Sequence, residues 1–280
     1  MKTAKGVDRM IKVDYHVHTN FSADADRGAS MAAMIEQAIA SGLHTIALTD
    51  HVDFLSDGSP FPHQIDYDSY IVQFNRLKEK YEKQIDVILG VEMGLGTHLV
   101  DQFEAMAAKY PFEFIIGSTH ELNKRDIYDF REEVFAGKTK QQAYELYFTE
   151  TLNNIKHFSA FNVYGHLDYV PRYGIYADNS LRYDDFKDVI DDVLRALVDS
   201  GKGLELNTSG FRYGLGHAHP QLDILKRFKV LGGDIVTVGS DAHRPLAIAE
   251  HFDKAADILK AAGYKAYTVF KERKPVWIDL

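Results

Sequence analysis

Seven short apolar segments of this chain each run straight into a histidine, aspartate or glutamate. They occupy 13–18, 46–51, 87–92, 114–120, 163–168, 204–207 and 235–243. A strand buried on both faces has no water to solvate a charged end, so polar residues recurring at successive strand ends imply one shared polar site.

The stretches between them carry helical spacing. Over 30–41, Met31, Met34, Ile35, Ala38 and Ile39 recur at three- and four-residue steps, and Gly42 stands as the terminator. Comparable patterns predict helices over 67–84, 100–109, 140–158, 184–199, 221–229 and 246–262. Strict alternation of strand and helix gives parallel strands joined by helical crossovers. Seven rounds in 280 residues suit a closed or nearly closed α/β barrel, one domain over 1–280, better than two domains. No Ser/Gly tract, low-complexity run or repeat marks a linker. The longest irregular piece, 52–66, holds Pro60 and Pro62 and is expected to loop over the barrel mouth. Residues 264–270 and 276–278 read as a short C-terminal hairpin.

Composition narrows the chemistry. With 41 acidic against 32 basic residues the formal charge is −9, which argues against a broad nucleic-acid surface and leaves room for a local cationic pocket. Small-molecule chemistry is favoured. The absence of cysteine excludes disulfides and thiolate zinc sites. The start Met-Lys-Thr-Ala-Lys-Gly-Val-Asp lacks the apolar core of a secretory signal, and no apolar run approaches the roughly 20 residues of a membrane span. The cytoplasm is the expected location.

His16-Val17-His18 is the clearest chemical signal. Residues two apart on an extended strand point to one side, so both imidazoles can reach one ion. Alone the triplet is a weak indicator, but it has company. Asp24 lies six residues beyond His18, and later segments end at His51, Glu92, His120, His166, and Asp241 with His243. Ligands at nearly every barrel exit are not a chance pattern.

The set His16-Val17-His18, Leu48-Thr49-Asp50-His51, Gly90-Val91-Glu92, Gly117-Ser118-Thr119-His120, Gly165-His166-Leu167-Asp168 and Gly239-Ser240-Asp241-Ala242-His243 resembles the PHP superfamily, named for polymerase and histidinol phosphatase. The resemblance spans nearly the whole chain. More narrowly, His18-Thr19-Asn20-Phe21-Ser22-Ala23-Asp24, Gly165-His166-Leu167-Asp168-Tyr169-Val170 and Glu205-Leu206-Asn207-Thr208-Ser209-Gly210 look like the histidinol-phosphate phosphatases of the histidine pathway. The resemblance implies a distorted (β/α)7 barrel and three divalent ions, Zn²⁺, Mn²⁺ or Fe²⁺. His16, His18, Glu92 and Asp241 would hold the first. Glu92 would bridge to a second, held also by His120 and His166, and Asp24, His51 and His243 would hold the third. Asp24 stands where some members of the superfamily have histidine.

The activity implied is hydrolysis of L-histidinol phosphate to L-histidinol and phosphate. Adjacent cations would neutralise the phosphate charges and lower the pKa of a bound water toward about 7, so that hydroxide attacks in line. Asp241, His243 and Glu92 are the expected catalytic residues, with Asp241 or His243 moving the proton of the leaving alcohol. Asp14 and Asp50 are expected to accept from imidazole N–H groups. Arg172 and Arg212, in the tyrosine-rich turns Pro171-Arg172-Tyr173 and Phe211-Arg212-Tyr213, are expected to grip phosphate. Glu121 is expected to pair with the substrate ammonium, and Asn207 to orient substrate. Arg244 follows the seventh strand and reads as a surface cation.

His44, His98, His157 and His251 read as surface or cap residues and His63 as part of the loop. His217 and His219 read as part of a substrate loop or as a plain turn, not as a metal pair. The other functions weighed are a PHP phosphoesterase acting on another small ester such as phosphotyrosine, and a non-catalytic metal-binding module. Metal-capable residues at all nine expected ligand positions argue against the module.

Overall fold

The computed structural model describes residues 11–54 and 65–280. Its centre is a barrel of seven parallel strands that neighbour one another in chain order. They are β1 (Val13–Val17), β2 (Thr45–Leu48), β3 (Asp86–Gly94), β4 (Phe114–Ser118), β5 (Val163–Tyr164), β6 (Gly203–Asn207) and β7 (Val236–Gly239). A parallel bridge between Val17 and Ala242 draws the ends together, and the His18 N–H donates to the Ala242 carbonyl at 2.9 Å. The ring is nearly closed, as the alternating pattern requires.

Helices wrap the outside: α1 (Met31–Ala40), α2 (Tyr67–Tyr81), α3 (Val100–Lys109), α4 (Lys140–His157), α5 (Lys187–Asp199), α6 (Leu222–Val230) and α7 (Phe252–Ala261). The first shows why. Ser30 caps it by accepting from the Ala33 N–H, its inward stripe of Met31, Met34, Ile35 and Ala38 is buried, and Gly42 leaves it at φ +74°. At α4, Thr139 and Gln142 form a reciprocal capping box.

Some boundaries differ from the sequence reading. Within 246–262 only the stretch from Phe252 is α-helical. Pro245–Ala247 is a 3-10 turn, Ala249 and His251 take φ of 55° and 64°, and the Ala249 N–H donates to Asp14 at 3.0 Å. A carboxylate inside the barrel thus captures a backbone donor that a helix would need. Likewise Tyr183–Phe186 is a 3-10 turn ahead of α5, and α2 ends at Tyr81. The short helices Arg131–Phe135 and Ser209–Arg212 are too brief to leave a periodic signal. Of the expected loop 52–66, residues 55–64 lie outside the described residues, as does His63.

The C-terminal hairpin, β8 (Ala266–Lys271) and β9 (Lys274–Asp279), turns through Glu272 and Arg273 at φ 49° and 63°. It seals the end of the barrel where the strands begin. The Tyr15 hydroxyl donates to the Phe270 carbonyl and accepts from its N–H, both at 3.0 Å, and the Phe270 ring lies 5.2 Å from that of Phe114. Among the described residues no helix is long and apolar enough to cross a membrane.

Candidate metal centre

The opposite end, where strands finish, collects the polar residues. β2 breaks after Leu48 and resumes at His51–Val52, which pairs with Glu92–Met93 of β3, so register alone sets His51 beside Glu92. His166 and Asp241 follow β5 and β7 with φ of 20° and 54°. Such values are costly for residues with side chains, and strain of this kind concentrates at functional sites.

Glu92 is the hub. Its Oε2 lies 3.0 Å from His16 Nε2, 3.4 Å from His18 Nε2 and 3.1 Å from His51 Nδ1. Its Oε1 lies 2.9 Å from His166 Nε2 and 3.3 Å from His120 Nε2. One fully buried carboxylate thus presents each oxygen to a different set of imidazoles. Asp241 Oδ1 stands 3.4 Å from both His18 Nε2 and His243 Nδ1. The exposed Asp24 reaches in to 3.0 Å from His243 Nε2 and 3.6 Å from His51 Nε2. All nine expected ligands therefore meet at one mouth.

Their electrostatics call for cations. Burial pushes the Glu92 carboxyl up, but His16, His120 and His51 together hold it well below the usual carboxylate range. Burial pulls His120 down, yet Asp53 and Glu92 lift it to about 10. His18 is driven well below an ordinary imidazole by burial and by its neighbours His243 and His51. Among the described residues Glu92 Oε2, His51 Nδ1 and His243 Nε2 are buried with no hydrogen bond. Orphaned nitrogen and carboxylate oxygen atoms facing one another are a donor set suited to divalent metal. Among the described residues four groups have ligand atoms within 4.8 Å of one another: His16–His18–Asp241, His16–Glu92–His166, His18–His51–His243 and His51–Asp53–His120.

Asp53 escaped the sequence reading. Its Oδ1 lies 3.1 Å from His120 Nδ1 and its Oδ2 3.6 Å from His51 Nδ1. The signal was present, since Asp53 stands two residues beyond His51 on an extended segment and shares its face. Glu205 was also missed as a site residue. Its Oε1 accepts from His16 Nδ1 at 2.7 Å and its Oε2 from the His166 N–H at 3.0 Å. Among the described residues Asp14 and Asp50 make no contact with imidazole N–H groups. Asp14 instead accepts from the Ser240 N–H and hydroxyl, and Asp50 from Thr19, Ser22 and Tyr70; Asp50 acts on His18 only through Ser22.

Above the hub opens a cavity of about 370 Å³, walled by the ligand cluster, Asp126, Asp129, Arg172 and the tyrosines 128, 169, 173 and 213. Arg172 is the expected anion-binding residue that reaches it. Its guanidinium lies over the Tyr213 ring and 3.5 Å from Asp241, with a side chain only 8% exposed. Arg212 is placed elsewhere, donating to Glu250 and to the carbonyls of Ser240 and Asp241, so it braces the strand-end loop rather than the cavity. Glu121 turns away from its neighbour His120 into a separate cavity shared with His98, 3.6 Å away. Asn207 is spent on Glu205 and on the Ser209 N–H. His219 is buried and paired with Asp168 at 2.5 Å, while His44, His98, His157 and His251 do not line the cavity above Glu92.

The PHP domain family model matches residues 14–209. The histidinol-phosphatase of Lactococcus lactis is 33% identical over 95% of this chain and 96% of its own length. A probable histidinol-phosphatase of Clostridium acetobutylicum is 31% identical over 93% of this chain and 97% of its own. A crystal structure of the histidinol phosphate phosphatase of L. lactis, complexed with zinc, L-histidinol and phosphate, superposes with a TM-score of 0.85, covering 95% of this chain and 98% of that one. Barrel, ligand cluster and these likenesses agree: the chain belongs to the PHP family.

Proposed function

We propose that the chain is a metal-dependent phosphomonoesterase that hydrolyses L-histidinol phosphate to L-histidinol and phosphate, a cytoplasmic step of histidine biosynthesis. The observation that carries this is the two-faced Glu92 at the base of a cavity that Arg172 enters. Supporting it is the similar L. lactis enzyme, whose structure holds zinc, L-histidinol and phosphate.

In this reading the cluster would hold three divalent ions. His16, His18 and Asp241 would serve one, His120 and His166 a second, and Asp24, His51 and His243 a third, with Glu92 available to more than one of them and Asp53 beside His120. Such ions supply Lewis acidity, which neutralises phosphate and renders water acidic enough to attack at neutral pH. The chain's own residues do the rest. Arg172 offers paired N–H donors to phosphate oxygens. Asp241, which accepts from the Ser209 hydroxyl at 3.2 Å and lies beside His243, would take the proton that the attacking water gives up, and Asp241 or His243 would return it to the departing alcohol. Asp126 and Asp129 on the wall give a cationic leaving group a favourable surface. The rings of Tyr169, Tyr173 and Tyr213 hold Arg172 and narrow the access of water.

The test is purification without chelator, metal analysis, and phosphate release from L-histidinol phosphate against a panel including phosphotyrosine. Bound divalent metal and clear preference for histidinol phosphate are expected. Equal turnover across the panel would reject the substrate, and metal-free activity would reject the mechanism.

A further inference from the structure

β6 is the barrel strand that supplies none of the nine expected ligands, yet it places a buried carboxylate against two of them. Three donors converge on Glu205: His16 Nδ1 at 2.7 Å on Oε1, and the His166 N–H at 3.0 Å with Asn207 Nδ2 at 3.0 Å on Oε2. A carboxylate only accepts. His16 must therefore carry a proton on Nδ1, which leaves Nε2 as the nitrogen with a lone pair, and Nε2 is the atom that faces Glu92 and His18. The second oxygen holds the backbone of His166, whose φ of 20° is strained. Space for this is built in, because a Cβ on Gly239 would collide with Glu205 Oε1 and His16 Cβ.

We infer that Glu205 is a positioning residue that selects the metal-binding tautomer of His16 and fixes the strained turn carrying His166. The inference rests on the reading of His16 as a metal ligand. Only an acceptor at both oxygens fits the position. In Glu205→Gln the single amide oxygen can serve either His16 or the pair of donors at His166 and Asn207. If it serves the pair, the amide NH₂ faces His16 Nδ1, moves the imidazole proton to Nε2 and blocks that atom. If it serves His16, an NH₂ opposes the His166 N–H. Both outcomes weaken the centre in a side chain of unchanged shape.

The experiment compares metal stoichiometry and zinc affinity of wild type, E205Q, H16A and the double variant, with thermal unfolding as the check on folding. E205Q is expected to bind zinc about 10- to 100-fold more weakly, and to add little further loss in the H16A background. Unchanged affinity in folded E205Q, or full additivity in the double variant, overturns the inference. A second measurement needs no Glu205 variant. In zinc-loaded wild type, ¹H–¹⁵N spectra of the histidine rings, with His16 assigned by its absence in H16A, should show the proton on Nδ1; a proton on Nε2 overturns the inference. Wild type that binds no divalent metal would instead defeat the metal-centre reading itself, a separate result.

Discussion

The two ends of the barrel are built from the same strands and do opposite things. Where the strands begin, Tyr15, Phe114 and Phe270 meet in a plug sealed by the C-terminal hairpin, and the Tyr15 hydroxyl makes both its bonds to the backbone of one residue, Phe270. Where they finish, imidazoles and carboxylates crowd within hydrogen-bonding range around Glu92, and several buried atoms have no hydrogen bond among the described residues. One end gains stability from burial and satisfied bonds. The other concentrates like groups that repel or remain unsatisfied until a cation joins them. Neighbouring residues of β1 divide between the two: Tyr15 meets the plug and His16 the cluster, across a slip in register between Asp14 and Val17. Such an irregularity re-aims side chains without ending the strand.

This division can be broken experimentally. Glu92→Ala is expected to have the largest effect, lowering phosphate release by on the order of 10³-fold or more, with thermal unfolding of the metal-free protein little changed. Activity close to wild type in this variant would reject the hub. Phe270→Ala strikes the plug and should cost about 3–5 kcal/mol of unfolding free energy, while turnover per folded molecule stays near wild type. A matching collapse in turnover well below the melting transition would show that the ends are coupled. Chelation should abolish phosphate release and lower stability by about 3–4 kcal/mol for each site held at 100 to 1,000 times its dissociation constant. An unchanged melting temperature after stripping would mean that the mouth is stable without them. Tyr15→Phe is the smallest change. It leaves the Phe270 N–H and carbonyl without their partner and should cost about 1–3 kcal/mol in denaturant unfolding, with kinetics unaltered.

Much of the site was legible because strand ends have a simple signature. A run of buried apolar residues closed by His or Glu, as in Val87 to Glu92, marks both the strand and the mouth to which it points. Partners across the barrel were less legible. Glu205 sits inside a strand between Leu204 and Leu206, and nothing local shows that it faces His16, which is 189 residues distant. Arg172 and Arg212 occupy similar turns, yet one enters the cavity and the other ties down carbonyls. Glu121 adjoins His120 but points into another cavity, since adjacent residues of an extended chain face opposite ways.

Periodicity and strand-end chemistry by themselves determined a parallel barrel and the identity of the groups at its mouth, because both are properties of short stretches of chain. The tertiary structure alone decided which oxygen of Glu92 meets which imidazole, which arginine reaches the cavity, and that Glu205 stands behind His16. Those facts depend on distances between segments brought together by barrel closure, and local spacing carries no record of them.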